Sequence, residues 1–343
     1  MKRSLATAGV AVLVGLGTTV SVALPAQAAT GFAFDSRISG ADRFATAVAA
    51  SKLLYPTDGT ASDVVVVNGY ATVDGLTASY LAGLKTAPIL YTDTDSVPAS
   101  TAAELDRLGA TDVWIVGGTN RVSQAQEDAW EAAGVTVHRI AGADRYATAA
   151  MVAQADDSGY APEQVFIASG TATADALAAG PVAWGRNYPI LLTEAGSVPA
   201  ATTDALAKLG TTDRVVLGST GSVSDAVYSQ VAGTERLGGA DRQETATKIA
   251  EDAVANDNFD SQSVALVGGT DATAADALSA APVAGAAGVP LVFTGFDGGL
   301  GDSTASYLVA EKANYTTAGT GWIFGGESSV MQSTADAATA AVQ

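Results

Sequence analysis

Arg37-Ile-Ser-Gly-Ala-Asp-Arg43 returns as Arg139-Ile-Ala-Gly-Ala-Asp-Arg145 and again as Arg236-Leu-Gly-Gly-Ala-Asp-Arg242. The copies begin 102 and then 97 residues apart. That period exceeds the roughly 20–50 residues of a solenoid unit and is the size of a small domain. The chain therefore reads as one module used three times, and its functional positions are sought among those the copies share.

Outward from the phrase, short apolar runs alternate with Ala-rich stretches. In the first copy 64–67, 88–91 and 113–116 read as strands. The helices are 44–54, 74–84, 100–108 and 123–133, the last two closed by Gly109 and Gly134. Other landmarks keep register. Asp74, Asp175 and Asp276, and likewise Pro88, Pro189 and Pro290, recur in steps of 101 residues. The fourth strand ends at Gly117-Gly118, Gly218-Ser219 and Gly325-Gly326. Continuous apolar strands between helices predict an α/β fold of parallel sheets with helices on their faces, joined by right-handed crossovers. The copies are expected at 29–134, 135–232 and 233–343, the second opening on a strand over 135–140, with the phrase itself a strand-to-helix turn. The Ala-rich end, 333–343, is expected to fray.

Residues 1–28 read as a secretory signal peptide: Lys2 and Arg3, an uncharged apolar stretch over 5–24, then Ala26-Gln27-Ala28. No other run approaches the roughly 20 apolar residues of a membrane span. The chain carries a net charge of −19, and the 315 residues beyond the leader carry 15 basic against 36 acidic side chains, or −21. Such acidity excludes general nucleic-acid binding and broad adsorption to an anionic membrane. With no cysteine, disulfide and thiolate chemistry are excluded too.

Beyond the leader there are ten arginines, and six of them belong to the phrases: Arg37, Arg43, Arg139, Arg145, Arg236 and Arg242. Asp42, Asp144 and Asp241 follow Gly-Ala and precede a helix, where a carboxylate caps free backbone N–H groups and favours the helix dipole. Asp74, Asp175 and Asp276 fit the same role. Arg43, Arg145 and Arg242 fall in a first helical turn, against the dipole, so each needs a partner. That partner is either a carboxylate locking one copy to the next or an anion on an external polymer. Carboxyl ends of parallel strands and Gly-rich turns that open helices are where such sheets take anions. No turn carries a dinucleotide fingerprint or a P-loop lysine, so no cofactor is expected. The single histidine, His138, has no counterpart in the other copies, which excludes a multi-histidine metal centre and leaves a Ser-His pair conceivable in one copy alone. No EF-hand spacing is present, and neither a metal nor an enzymatic activity is expected.

The phrase R-[IL]-x-G-A-D-R-x-x-T-A, completed by Thr46, Thr148 and Thr245, resembles the signature of the cell wall-binding repeat type 2 family. The Asp-x-Leu turn, the Pro-Ile-Leu strand and the Gly-Gly with a following Val-Ser resemble it as well. The resemblance covers essentially the whole chain beyond the leader. It implies three Toprim-like α/β domains about a pseudo-threefold axis, in a secreted protein held non-covalently at the Gram-positive cell surface. The implied partner is a wall polymer: an anionic polysaccharide, a teichoic-acid-like chain or peptidoglycan. The six phrase arginines are its candidate contacts. The alternatives are a wall-lytic enzyme of the amidase type, since family members often carry such a domain, and an adhesive or surface-layer component. This chain departs locally from the pattern at Gln243, Ser219 and Met331, where the other copies have an aromatic residue, Gly and Ser.

Overall fold

The repeated apolar runs become the inner strands of three parallel sheets. The computed structural model of the chain describes residues 31–156, 161–316 and 318–343; the expected leader at 1–28 lies outside the described residues. In chain order the strands are β1 (Phe34–Ile38), β2 (Asp63–Asn68), β3 (Ile89–Thr92), β4 (Asp112–Val116), β5 (Thr136–Ile140) and β6 (Gln164–Ser169). They continue as β7 (Ile190–Thr193), β8 (Asp213–Leu217), β9 (Glu235–Leu237), β10 (Val264–Val267), β11 (Leu291–Phe293) and β12 (Gly321–Phe324). They pair as β3-β2-β4-β5, β7-β6-β8-β9 and β1-β12-β10-β11, every pairing parallel.

The inner strands are buried on both faces, as Val64 through Val67 and Val264 through Val267 show, and β-branched residues suit that setting. The third strand of each copy lies at a sheet edge. Pro88, Pro189 and Pro290 stand just before it, where a missing N–H costs no ladder bond. Their carbonyls accept from Val65, Phe166 and Ala265 at 3.0, 2.9 and 2.8 Å.

The strand that carries the shared phrase does not join the sheet of the copy it opens. β5 pairs with β4 and β9 with β8, so each phrase strand completes the preceding sheet. The last sheet is completed by β1, which pairs with β12. Sequence period and sheet are therefore out of step by one strand, and the three copies close into a ring. The closing seam joins residues as far as 305 positions apart.

Small residues meet at the centre of the ring. Ser79, Gly180 and Ala281 are equivalent positions on the helices Ala78–Lys85, Gly180–Arg186 and Ala274–Ala287. A Cβ at Gly180 would lie 2.9 Å from Ala281 Cβ and 3.2 Å from Ser79 Oγ. Three equivalent positions meet at one point only around a threefold axis. Gly285 packs as closely, since a Cβ there would lie 2.6 Å from the Pro181 carbonyl. Specific hydrogen bonds tie the seams around this axis. Tyr91 Oη donates to the Ala275 carbonyl at 2.5 Å, and Trp184 Nε1 donates to that of Ala87 at 3.3 Å.

The C-terminal stretch does not fray. It forms the helix Gln332–Val342, with Ala335, Ala338 and Val342 buried, and its Thr339 hydroxyl accepts from the Phe34 N–H at 3.0 Å. It is held because it covers the closing strand β1.

Gly180→Val is expected to overpack the axis and destabilise the chain by about 1–3 kcal/mol. Gly196→Ala, whose added Cβ meets nothing within 4 Å, should leave the denaturant midpoint unchanged. A second expectation concerns the seam between copies two and three. There the Tyr188 hydroxyl hydrogen-bonds Asp257, and burial pushes the Asp257 carboxyl from 3.8 up to about 6. An acid with a raised folded pKa stabilises the fold while protonated, and that contribution is lost as pH rises through about 6. Asp257→Asn should therefore flatten the fall in thermal midpoint over that interval, as followed by circular dichroism.

Candidate functional site

Each shared phrase folds into the same clasp. The glycine ending the fourth strand sits at positive φ, 123° at Gly117, 98° at Gly218 and 104° at Gly325, a region that favours glycine. Its N–H donates to the carbonyl of Ile140, Leu237 and Ile38 respectively, at 2.9, 2.8 and 3.0 Å. Its own carbonyl accepts from the first phrase arginine: Arg139 at 2.9 Å, Arg236 at 3.0 Å and Arg37 at 2.9 Å. The second glycine of the pair has no positive φ, which is why Ser219 is accommodated there.

The first arginines differ in what else they hold. Arg139 forms an ion pair with Glu127 at 2.6 Å, both side chains about 15% exposed at most. Arg236 bonds the Val223 carbonyl at 2.8 Å and pairs with Asp225 at 3.3 Å. At the position of Glu127 the third copy has Ala335, and one nitrogen of Arg37 is buried without a hydrogen-bond partner.

The rest of the phrase is equally committed. Asp42, Asp144 and Asp241 accept from the N–H of Ala45, Ala147 and Glu244 at 2.8–2.9 Å, opening the helices Arg43–Leu54, Arg145–Ala153 and Arg242–Asn256. The N–H groups of Gly40, Gly142 and Gly239 donate to Thr46, Thr148 and Thr245 at 3.0–3.1 Å. A Cβ on any of these three glycines would overlap the first helical turn. In the third copy Glu244 also reaches back to the Ala240 N–H at 2.7 Å, a reciprocal cap.

The second arginines find backbone partners. Arg43, Arg145 and Arg242 donate to the carbonyls of Gly69, Gly170 and Gly269 at 2.7, 2.5 and 3.0 Å, and Arg242 also pairs with Asp271 at 2.7 Å. Asp74, Asp175 and Asp276 do not cap. They stand inside the first helical turn, with no side-chain cap there, and reach the turn after the fourth strand. Asp276 accepts from Ser329 Oγ at 2.6 Å, Asp74 pairs with Arg121 at 3.3 Å, and Asp175 stands beside the hydroxyls of Ser222 and Thr245. Burial pushes the Asp175 and Asp276 carboxyls above the usual range. Hydrogen bonds and the charges of Arg242, near Asp175, and Arg43, near Asp276, oppose that rise.

Between copies one and two these elements surround a cleft of about 210 Å³, lined by Asp74, Gly118, Asn120, Arg121, Gly142, Asp144, Arg145 and Thr148. It lies beyond the carboxyl ends of β2 and β4, where the crossovers of the sheet diverge, the usual ligand position in open α/β sheets. Arg121 is 42% exposed and is replaced by Ser222 and Ser329 in the other copies. Sequence reasoning did not single it out; the available signal was its place just after the Gly-Gly turn. His138 is occupied elsewhere, stacked on Trp114 with centroids 4.0 Å apart and bonded to Asp112 at 3.0 Å. That hydrogen bond holds the Asp112 carboxyl below its ordinary range. Among the described residues no group of three or more metal-ligating side chains could hold an ion, and no helix is long and apolar enough to cross a membrane.

The model of one family, cell wall binding domain 2, matches residues 37–127, 139–228 and 236–335. The N-acetylmuramoyl-L-alanine amidase LytC of Bacillus subtilis (strain 168) is 39% identical over 215 residues, 63% of this chain and 42% of that protein. The amidase enhancer of the same organism is 30% identical over 220 residues, 63% of this chain and 29% of that protein. The chain thus spans less than half the length of these curated relatives. Among solved structures, Cwp6 from Clostridium difficile is similar with a TM-score of 0.78 at 28% identity, over 96% of this chain and 50% of that one. Cwp8 from Clostridium difficile is similar at the same TM-score and identity, 0.78 and 28%, over 90% of this chain and 51% of its own.

The clasp makes a quantitative expectation. Arg139→Ala removes a bond to a carbonyl and breaks a largely covered ion pair, and should cost about 3 kcal/mol. Arg37→Ala removes one carbonyl bond and should cost about half as much. Urea unfolding of the two variants beside the wild type measures the difference.

Proposed function

Because this chain belongs to the cell wall binding domain 2 family, we propose that it is a secreted, non-catalytic protein that attaches non-covalently to the Gram-positive cell wall through an anionic wall polymer. The observation that carries this reading is coverage, since three tandem family segments span 37 to 335 with only short connections between them. In this reading Arg43, Arg145 and Arg242, beside a helix N-terminus and a Gly-rich turn at each seam, are the polymer contacts. Arg37, Arg139 and Arg236 contribute by holding those seams closed. A polymer of repeating charge can engage the three equivalent arginines on one body, so weak contacts gain through effective concentration. The net charge of −19 opposes a polyanion at long range. Screening over about 8 Å at physiological salt confines that repulsion and leaves short-range guanidinium contacts to decide.

The similarity to LytC and to the amidase enhancer favours a second reading, a wall-lytic activity. Against it stands the match itself, since the three segments that cover most of the chain are those of a binding domain; His138 is stacked on Trp114 and bonded to Asp112.

Co-sedimentation with purified Gram-positive walls tests the proposal. The wild type is expected to pellet with the walls. An Arg43→Ala/Arg145→Ala/Arg242→Ala variant that keeps its circular dichroism should bind at least about tenfold more weakly, since one charged hydrogen bond is worth that factor. Undiminished binding would remove the arginines from the contact surface. Release of reducing sugar or free amino groups from peptidoglycan by the pure protein would establish the lytic reading instead.

A further inference from the structure

Among the described residues two aromatic side chains are largely exposed, Tyr70 at 63% and Phe296 at 68%. They come from different loops. Tyr70 follows β2 in the first copy, whereas Phe296 lies in a Gly-rich loop after β11 in the third. Yet both rings lie over the second phrase arginine of their own copy. The Arg43 guanidinium is 4.6 Å from the Tyr70 centroid and that of Arg242 is 5.3 Å from the Phe296 centroid. The same arrangement has been reached twice from loops that do not correspond, so it does not descend from the triplication alone.

We propose that Tyr70 and Phe296 are stacking platforms for sugar rings of the wall polymer, each pinned from behind by its arginine. The proposal rests on the wall-binding reading and adds to it the chemistry of the contact, a saccharide face in addition to an anion. A guanidinium on one face of a ring holds it in place through the ring quadrupole. The Tyr70 loop is fixed as well, because Asn68 Oδ1 accepts from the Tyr70 and Ala71 N–H groups, both at 2.9 Å. A ring already held loses little freedom on binding.

What fits such a ring is small and amphipathic. Tyr70 and Phe296 belong to the loops of separate sheets, so each presents a single ring, far less than the roughly 800 Å² a stable protein partner would cover. A pyranose has an apolar C–H face matched in size to one aromatic ring, and hydroxyls at its rim. At Phe296 the rim is met by Arg242 and by Asp271, paired at 2.7 Å with the Asp271 side chain 77% exposed. Among the described residues no ring covers Arg145, so the platforms found there belong to copies one and three.

The test is a binding isotherm of the full chain on purified walls. Tyr70→Ala and Phe296→Ala are each expected to weaken binding about 2- to 10-fold, as for loss of one aromatic contact, and the double variant further. Tyr70→Phe and Phe296→Tyr keep a ring and should bind as the wild type does, and none of these exposed changes should move the thermal midpoint. Walls that hold the wild type and the double alanine variant equally overturn the stacking proposal while leaving wall binding intact. Walls that fail to retain the wild type overturn the wall-binding reading, and the stacking proposal with it.

Discussion

The contact on which this architecture depends is between an arginine side chain and a glycine carbonyl. At each seam the glycine ending a fourth strand turns at positive φ, gives its N–H to the phrase strand and receives the phrase arginine on its own carbonyl. The strand so clasped completes one sheet and then leads into the first helix of the next copy. Because of that exchange no copy contains a complete sheet of its own. The three must fold against one another, and the small residues at the axis record how closely they do.

The elements were legible in the sequence because strands buried on both faces are continuous apolar runs and several helices are closed by glycine, as at Gly109, Gly210 and Gly288. The strand exchange was not. A phrase repeated at domain spacing marks a junction but does not say which side of it the strand belongs to, and pairing is decided by backbone geometry that periodicity does not encode. The arginines were hidden for a related reason. The need of Arg43, Arg145 and Arg242 for a partner was readable from their place in a first helical turn. The partners are backbone carbonyls, which leave no mark in a sequence, and a search among carboxylates finds Asp271 alone for the third. Asp74, Asp175 and Asp276 look like caps because they open helices. Their positions one to three residues inside the turn direct them to the neighbouring loop instead.

Departures from threefold symmetry are concentrated in the third copy. Gln243 replaces an aromatic residue, and its amide donates to the Thr294 carbonyl at 3.0 Å, which ties the helix to the loop carrying Phe296. Met331 stands where Ser224 caps its helix at Val227, and the helix that follows Met331 has no such side-chain cap. Ala335 leaves Arg37 without the carboxylate that Arg139 has. Met331 and Ala335 lie at the seam closed by the chain's two ends, where β1 pairs with β12, the one seam without covalent continuity.

That seam also sets how the molecule can meet an extended partner. Most of the scarce positive charge in this acidic chain is spent internally, on carbonyls that fix the turns. A guanidinium with one N–H bound to a carbonyl still presents others, now at a fixed place and angle. Such a donor gives up less freedom when it meets a ligand than a surface lysine would. In the wall-binding reading the same bonds that close the ring thus orient the contacts, and affinity follows from the rigidity of the ring and not from net charge. An acidic protein can then hold a polyanion, provided that the polymer comes within bonding distance of several fixed donors at once.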